Sequence, residues 1–359
     1  MRMSELDYHL PPNLIAAHPV EPRDQSRLMV LHRAADRLEH RRFADLPDYL
    51  LPTDLLVVND TRVLPAKLEL RKTTGAAIPG LFVRERAAGQ WEVLLRSRGK
   101  VHPGDQLLPA GAGPSPYRFL LDERLPREKG MWLVTVSPPD PAREILAHIG
   151  RVPLPPYIEK MRRHAPEDDE ALDRRSYQTV YARQGASLAA PTAGLHFTPG
   201  LLERLDALGV RRAAVELDVG LGTFLPVEAD TMEAHRMHTE TYAVPGETVH
   251  ALRAQRAAGG RIVVVGTTAV RTLETTAPEI LAPDPPPTDL RGATDLKIMP
   301  GFQFRLTDAL ITNFHLPRST LMALVAALIG LDRLHTLYRL AIRENYRFYS
   351  YGDAMLILP

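Results

Sequence analysis

Between Val63 and Val136 the chain is made of short β-like runs, and no other feature narrows its fold as far. The runs are Lys67–Arg71, Leu81–Arg86, Trp91–Arg96, Tyr117–Leu121 and Met131–Val136, separated by turn clusters such as Thr74-Gly75, Ala88-Gly89 and Pro103-Gly104-Asp105. Many short strands at close, even spacing predict a small antiparallel barrel or sandwich.

The flanks read differently. DLLVVN at Asp54–Asn59 is a short apolar run of the kind found in a buried strand. Asp140-Pro141 predicts a helix with Asp140 as cap and Gly150 near its end. Thr198-Pro199 opens a helix that Gly209 ends, and a strand follows at Ala213–Leu217. A helix around Glu247–Ala258 precedes the strand Ile262–Val265, and Gly266-Thr267-Thr268 opens another helix. Ser319 caps a final apolar helix. Alternating helices and strands predict an α/β fold with a mainly parallel, covered sheet. The architecture expected is a discontinuous α/β domain, 1–62 and 150–359, with a small antiparallel β-barrel inserted at 63–149. Two domains in series is the other arrangement.

Composition excludes several function classes. Lys plus Arg total 44 against 43 Asp plus Glu, so the formal charge is +1. A chain this neutral does not coat nucleic acid by bulk charge; binding requires a local patch. There is no cysteine, which removes disulfides, thiolate metal sites and Cys nucleophiles, and fits a reducing cytoplasm. The longest apolar run, Leu321–Leu331, is about half of the ~20 residues a bilayer helix needs, so it is expected to be a buried helix and no membrane association is expected.

Candidate chemistry gathers at the ends of the expected strands, where open α/β sheets bind ligands. Asn59-Asp60-Thr61-Arg62 follows the first strand, and Asp218 with Gly220, Gly222, Thr223 and Phe224 follows the second. Thr267 and Thr268 open a helix whose free N–H groups favour an anion, and Arg271 lies one turn on. Gly220-x-Gly222 lacks the third glycine and the acidic residue of a dinucleotide fingerprint. Pro191-Thr192-Ala193-Gly194-Leu195-His196-Phe197 supplies a hydroxyl, a titratable ring and a stacking face in one tight loop. His235-x-x-His238-x-Glu240 brings two imidazoles together if it is helical. It is not a zinc pattern, because HExxH is absent and two histidines are too few ligands, so no metal is expected. Acid–base work suits these rings better. Near the C-terminus, Arg347 and Ser350-Tyr351-Gly352-Asp353 combine aromatic faces with polar groups, as nucleobase stacking requires. The basic patches are Arg96-Ser97-Arg98-Gly99-Lys100 and Lys160-Met161-Arg162-Arg163-His164.

In order, EPRDQSRL (21–28), DLLVVNDTRV (54–63), PLPPYI (153–158), YQTVY (177–181), AAPTAGLHF (189–197), HRMHTE (235–240), VGTT (265–268), TNFHLP (312–317) and YSYGDAM (349–355) resemble the S-adenosylmethionine:tRNA ribosyltransferase-isomerase family of queuosine biosynthesis. The resemblance runs along nearly the whole chain. It implies an α/β domain carrying an inserted barrel. It also implies a reaction in which the ribosyl group of S-adenosylmethionine moves onto 7-aminomethyl-7-deazaguanine at the tRNA wobble position. There it isomerises to an epoxycyclopentanediol, and adenine and methionine are released. S-adenosylmethionine is consumed as a substrate and no cofactor is implied. The expected partner is the tRNA anticodon arm, and the expected state is a cytoplasmic monomer.

Under this resemblance, His235, His238 and His196 are candidates for the base that removes a proton beside the sulfonium, and Asp60 and Glu240 for the acid that protonates departing adenine. Phe197, Phe224 or Tyr351 would stack on adenine or face the sulfonium, and Thr267-Thr268 would hold the methionine carboxylate. Arg62, Arg271 and Arg347 would meet phosphates, together with Arg96, Arg98, Lys100 and Lys160. The remaining substrate-binding candidates are Arg23, Ser26, Arg27, Asn313 and His315. The family commonly has His where Asp218 stands and a polar or basic residue where Leu225 stands, and Pro79-Gly80 is expected to interrupt a barrel strand. A carboxylate also serves as a base, so Asp218 joins the catalytic candidates. Two other readings stay open: a methyltransferase using the same sulfonium compound, and a tRNA-binding protein that has lost catalysis.

Overall fold

A computed structural model of the chain describes residues 1–96, 101–110, 115–126, 128–162, 170–224, 229–283 and 288–359. Arg98, Lys100, Arg163, His164, Leu225 and part of the proline-rich stretch at 282–289 lie outside the described residues. The described residues divide into two compact units, one of 1–62, 156–162 and 178–359, the other of 63–155 and 170–177.

Among the described residues the first unit is built on a nine-stranded sheet. Its order is Leu290–Thr294, Glu240–Val244, Arg211–Leu217, Leu55–Asn59, Ile262–Val265, Ala309–Asn313, Ala354–Leu358, Arg27–His32, Arg37–Arg42. The block from Arg211–Leu217 to Ala309–Asn313 is parallel throughout. Outside it the sheet is mixed. Glu240–Val244 and Leu290–Thr294 add antiparallel strands on one side. On the other, Ala354–Leu358 runs antiparallel to Ala309–Asn313 and parallel to Arg27–His32, which turns back into Arg37–Arg42.

The period-2 geometry of a strand explains why the central runs are apolar at every position. Leu55, Val57, Ile262 and Val264 enter one core, while Leu56, Val58, Val263 and Val265 enter the core on the opposite face. Helices Gly246–Ala257, Thr267–Ile280, Thr320–Ile329 and Leu331–Arg343 feed the first core, and Pro199–Leu208 feeds the second. Each fully buried Val, Leu or Ile contributes roughly 1.5–3 kcal/mol. Thr198 caps its helix by accepting from Leu201 N at 3.1 Å, and Gly209 ends that helix at φ 92°. Ser319 accepts from Met322 N at the start of Thr320–Ile329, whose apolar residues are buried. No single helix among the described residues is long and apolar enough to cross a membrane.

In the second unit, Lys67–Lys72, Ala77–Ala87, Gln90–Leu95, Met131–Ser137, Arg118–Arg124 and Gln106–Pro109 pair in that order, and the last returns to the first. The result is a closed six-stranded antiparallel barrel filled by Trp91, Phe82 and Phe119 in edge-to-face contact. Three expectations change here. Ala77–Ala87 runs unbroken through Pro79-Gly80, because the Pro79 carbonyl still accepts from Arg96 N at 2.8 Å. Asp140 does not cap Ala142–Ile149; its carboxylate accepts from Tyr117 OH at 3.0 Å instead. The boundary after 149 moves to 155, because Gly150–Arg151 pairs with Lys67–Leu68. Helix Glu170–Ser176 also belongs to this unit, with Arg174 Nη2 donating to Gly150 O at 2.6 Å.

Asn59 joins the parallel block at one end. Its amide donates to Leu217 O (3.0 Å) and Thr268 Oγ1 (3.1 Å), and its carbonyl accepts from Leu217 N (3.1 Å) and Thr61 N (3.2 Å). Asn59→Ala would strand buried backbone groups, each costing ~1–3 kcal/mol, so the variant should lose about 3 kcal/mol in denaturant unfolding. An unchanged midpoint would show that the strand ends hold without it.

Candidate active site

The parallel strands end at a common edge, and their antiparallel neighbours begin there. Asn59, Leu217, Val265 and Asn313 therefore meet Glu240, Ala354 and Arg27 along one rim of the sheet. Most residues singled out in the sequence fall on this rim or on the loops leaving it.

Asn59 is fully buried and its hydrogen bonds tie strands together, so it positions the rim instead of facing a ligand. Thr61, also buried, donates to Asp218 Oδ1 at 2.5 Å, and the same oxygen accepts from Ala186 N at 2.9 Å. Gly185 beside it has φ 121°, and a Cβ there would fall 2.2 Å from Thr61 Oγ1, so only glycine fits. Asp218 thus holds a loop against the first strand. Asp60 is different. Burial pushes its carboxyl above the usual range, and Arg183, 3.8 Å away, offsets only part of that rise. Arg62 is exposed and donates to the carbonyls of Ala182 and Arg183.

Helix Thr267–Ile280 starts at the rim after Gly266, whose φ is 85°, and no side chain caps it. Thr267 is buried and Thr268 half-buried. Unpaired N–H groups at this end are an anion-binding feature. Arg271, one turn on, is not available for phosphates, because it pairs with Glu240 and both side chains are 8% exposed. Glu240 also accepts from Gly220 N at 3.0 Å. That pairing removes Glu240 as a free acid.

The segment before Glu240 is not helical, so His235 and His238 do not share a helical turn. Thr231 bridges to Arg2, a turn at 232–234 follows with His235 N donating to Thr231 O at 3.1 Å, and the chain reaches the strand at Glu240 without forming a helix. His235 is half-buried, and burial, Lys297 and His238 lower its pKa. His238 is exposed, its ring close enough to Gly222 that a Cβ there would sit 2.6 Å from it. Thr223 is exposed and Phe224 buried.

Pro191 leads into the turn Thr192–His196, which packs beside Gly266 through Ala193. His196 is buried, stacked on Phe43 at 4.9 Å, and bonded at both nitrogens. Asn313 Nδ2 approaches Nε2 at 3.2 Å while also donating to Tyr349 O, so Nε2 accepts and Nδ1–H points to Ser26 Oγ at 2.7 Å. Burial, with Arg347 and Arg23 nearby, lowers the His196 pKa to about 3. Phe197 is wholly buried against Phe43 and cannot stack on adenine. His315, bonded to Thr312 Oγ1 at 2.8 Å, is likewise buried and pushed down to about 4. Neither ring is available as a base.

The C-terminal residues are mostly committed. Asp353 accepts from Arg27 N and Arg347 N, and Ser350 bonds to Tyr157 OH. Gly352 lies so close to the Arg347 carbonyl that a Cβ would be 2.5 Å from it. Tyr351 is 3% exposed, with the Arg162 guanidinium 6.0 Å from its ring. Arg27 sits over Tyr346, and Arg23 donates to Gln178 O at 2.7 Å. Lys160 is exposed; Arg96 is exposed in the barrel unit.

The pattern of the family described as "Queuosine biosynthesis protein" matches residues 3–357. The chain belongs to the queuosine biosynthesis protein family. It is 49% identical over all of both chains to the S-adenosylmethionine:tRNA ribosyltransferase-isomerase of Thermotoga maritima, and 46% identical, again over both whole chains, to that of Symbiobacterium thermophilum. The Thermus thermophilus enzyme of the same name is 47% identical over 98% of each chain. The crystal structure of S-adenosylmethionine tRNA ribosyltransferase from Thermotoga maritima is similar at 41% identity, covering 99% of this chain and 100% of that one, with a TM-score of 0.55.

Sequence reading of this family member missed Arg183, Thr179 and Tyr181. Arg183 stands beside Asp60, while the Thr179 and Tyr181 hydroxyls are buried without a hydrogen-bond partner among the described residues. The YQTVY block contains both hydroxyls, but nothing in its spacing marks them as polar groups facing inward.

His196 and His315 give the protein a defined acid sensitivity. Unfolded, both rings take up a proton as pH falls through about 6.5; folded, they stay neutral down to about 3 and 4. Between those limits the unfolded state binds more protons, so stability falls on acidification and is insensitive to these rings above that range. In His196→Gln, the thermal midpoint should fall less steeply than in wild type between about pH 6.5 and pH 4. Parallel slopes would show that His196 is not the group involved.

Proposed function

We propose that this protein transfers the ribosyl group of S-adenosylmethionine onto 7-aminomethyl-7-deazaguanine at the wobble position of a tRNA anticodon arm, and isomerises it to give epoxyqueuosine. The observation that carries this reading is identity of 46–49% over full length to relatives named for the ribosyltransferase-isomerase activity. Nothing observed favours a methyltransferase or a silent tRNA-binding protein. The protein acts as a cytoplasmic monomer and uses no cofactor; the lack of cysteine fits that compartment.

The free groups on the rim divide the chemistry among them. His235, kept neutral by burial and its cationic neighbours, takes the proton from the carbon beside the sulfonium. Asp60, whose carboxyl is held protonated more readily than usual, gives a proton to the departing adenine. The carbanion expels the ribose ring oxygen, whose electron pair forms an aldehyde at the anomeric carbon as adenine leaves. The aminomethyl nitrogen adds to the vinyl sulfonium so formed. It bonds to the former ring carbon adjoining the carbon beside sulfur, returns an electron pair to that sulfur-bearing carbon, and loses a proton. The regenerated carbanion attacks the aldehyde carbon to close the cyclopentane. The resulting alkoxide closes the epoxide as the carbon–sulfur bond breaks and methionine leaves as a neutral thioether. The open N–H groups at Thr267-Thr268 hold the methionine carboxylate. Exposed Arg62, Arg183 and Lys160 meet phosphates. The target base lies in a single-stranded loop, so extruding it costs little.

Incubation with S-adenosylmethionine and tRNA carrying the aminomethyl-deazaguanine base should release adenine and yield a nucleoside of epoxyqueuosine mass. S-adenosylhomocysteine in place of adenine would mean a methyltransferase, and no turnover would sink the enzyme reading. Sedimentation at single-chain mass is expected. Asp60→Asn should lower kcat about 100-fold or more with tRNA affinity retained. A kcat within twofold of wild type would remove Asp60 from the chemistry.

A further inference from the structure

Two side chains of the YQTVY block, Tyr181 through its hydroxyl and Thr179 through its methyl, lie against the turn Thr192–His196. A Cβ at Gly194 would fall 2.0 Å from Tyr181 OH and 2.8 Å from Thr179 Cγ2. Glycine is therefore required for both side chains to reach the turn. Tyr181 OH and Thr179 Oγ1 are buried, and neither has a hydrogen-bond partner among the described residues. A third such atom sits at the other end of the turn. Asn313 is 2% exposed and directs its Nδ2 to Tyr349 O and His196 Nε2, and its carbonyl oxygen is buried with no donor among the described residues.

Buried polar groups in folded proteins are nearly always paired, and an exception points to a partner supplied in function. Three around one short turn, beside the opening of helix Thr267–Ile280, are a concentration and not scatter. Their chemistry restricts what completes them. Two hydroxyls donate or accept; an amide oxygen only accepts. None carries charge, and His196 between them is neutral. A carboxylate or phosphate would meet the Asn313 oxygen with no proton to offer it. A purine edge with its amino group, or a ribose diol, offers donors and acceptors together.

We propose that Thr179, Tyr181 and Asn313 bind the adenosine portion of S-adenosylmethionine over the Thr192–His196 turn. This rests on the proposed reaction and assigns its nucleoside subsite. Burial, with Asp60 nearby, raises the Tyr181 phenol pKa, so the hydroxyl stays a donor at every working pH. Asp60 is then close to the base it is proposed to protonate.

Tyr181→Phe and Thr179→Val keep shape and remove one hydroxyl each. Each should raise KM for S-adenosylmethionine about five- to tenfold, leave tRNA affinity unchanged, and leave the thermal midpoint equal or higher, since an unpaired buried group is gone. An unchanged KM overturns the proposal. So does a midpoint that falls together with activity, which would mean the hydroxyls hold the fold, through a fixed water for instance. If wild type fails to turn over, the reaction reading fails separately. Calorimetry with adenosine then decides the subsite: binding to wild type that Tyr181→Phe weakens supports it, and equal or absent binding overturns it.

Discussion

Asn59 has no exposed surface, and its four side-chain hydrogen bonds reach three parts of the carboxyl rim. It joins the first strand to the end of Arg211–Leu217, to the first turn of Thr267–Ile280, and to its own continuation at Thr61. A parallel sheet covered on both faces has no solvent to satisfy its strand ends, so a side-chain amide, with two donors and a two-lone-pair acceptor, is well suited to close them. Thr61 then reaches Asp218, which reaches Ala186. Through that chain the loop carrying Arg183 and Gly185 is fixed beside Asp60. The site is a consequence of how the strand ends are satisfied.

The same rim sorts its titratable groups. Burial with both nitrogens occupied makes His196 a neutral structural ring, and pairing with Arg271 removes Glu240 from acid–base work. Two groups that remain are moved by burial in opposite directions, the Asp60 carboxyl upward and the His235 imidazole downward. Two groups shifted in opposite directions can act as proton donor and proton acceptor at one pH, which is what a reaction that strips one carbon of a proton while protonating a leaving base requires.

Local pattern made the core of this legible in the sequence. Leu55–Asn59 and Ile262–Val265 are apolar at every position because both faces are covered, and the closely spaced runs after Val63 closed into a barrel. Arg27–His32 and Ala309–Asn313 carry no local signature of sheet strands, because their pairings with Ala354–Leu358 join the two ends of the chain. The helical spacing of His235 and His238 misled because the turn at 232–234 ends at His235 and the chain leaves it toward the strand at Glu240 without a further helical turn. Arg271 and Phe197 had suitable chemistry for a ligand, but only the fold could show that Glu240 and Phe43 already occupy them. Local spacing does not reveal which polar groups the fold has already satisfied.

Asp218 shows how the fold uses a carboxylate at this position. One carboxylate oxygen accepts from a hydroxyl and a backbone N–H at once. A neutral imidazole has a single acceptor nitrogen and could take only one of those bonds. With Asp at this position the loop at 185–186 is held by its own backbone, and Gly185, at φ 121°, supplies the conformation that brings Ala186 N to the carboxylate. A histidine there would leave either Thr61 or Ala186 to another acceptor, and the loop would need a different anchor. The clamp is therefore coupled to glycine at 185: the carboxylate can hold Ala186 N because the backbone beside it can turn, and the proposed acid–base roles rest on Asp60 and His235 instead.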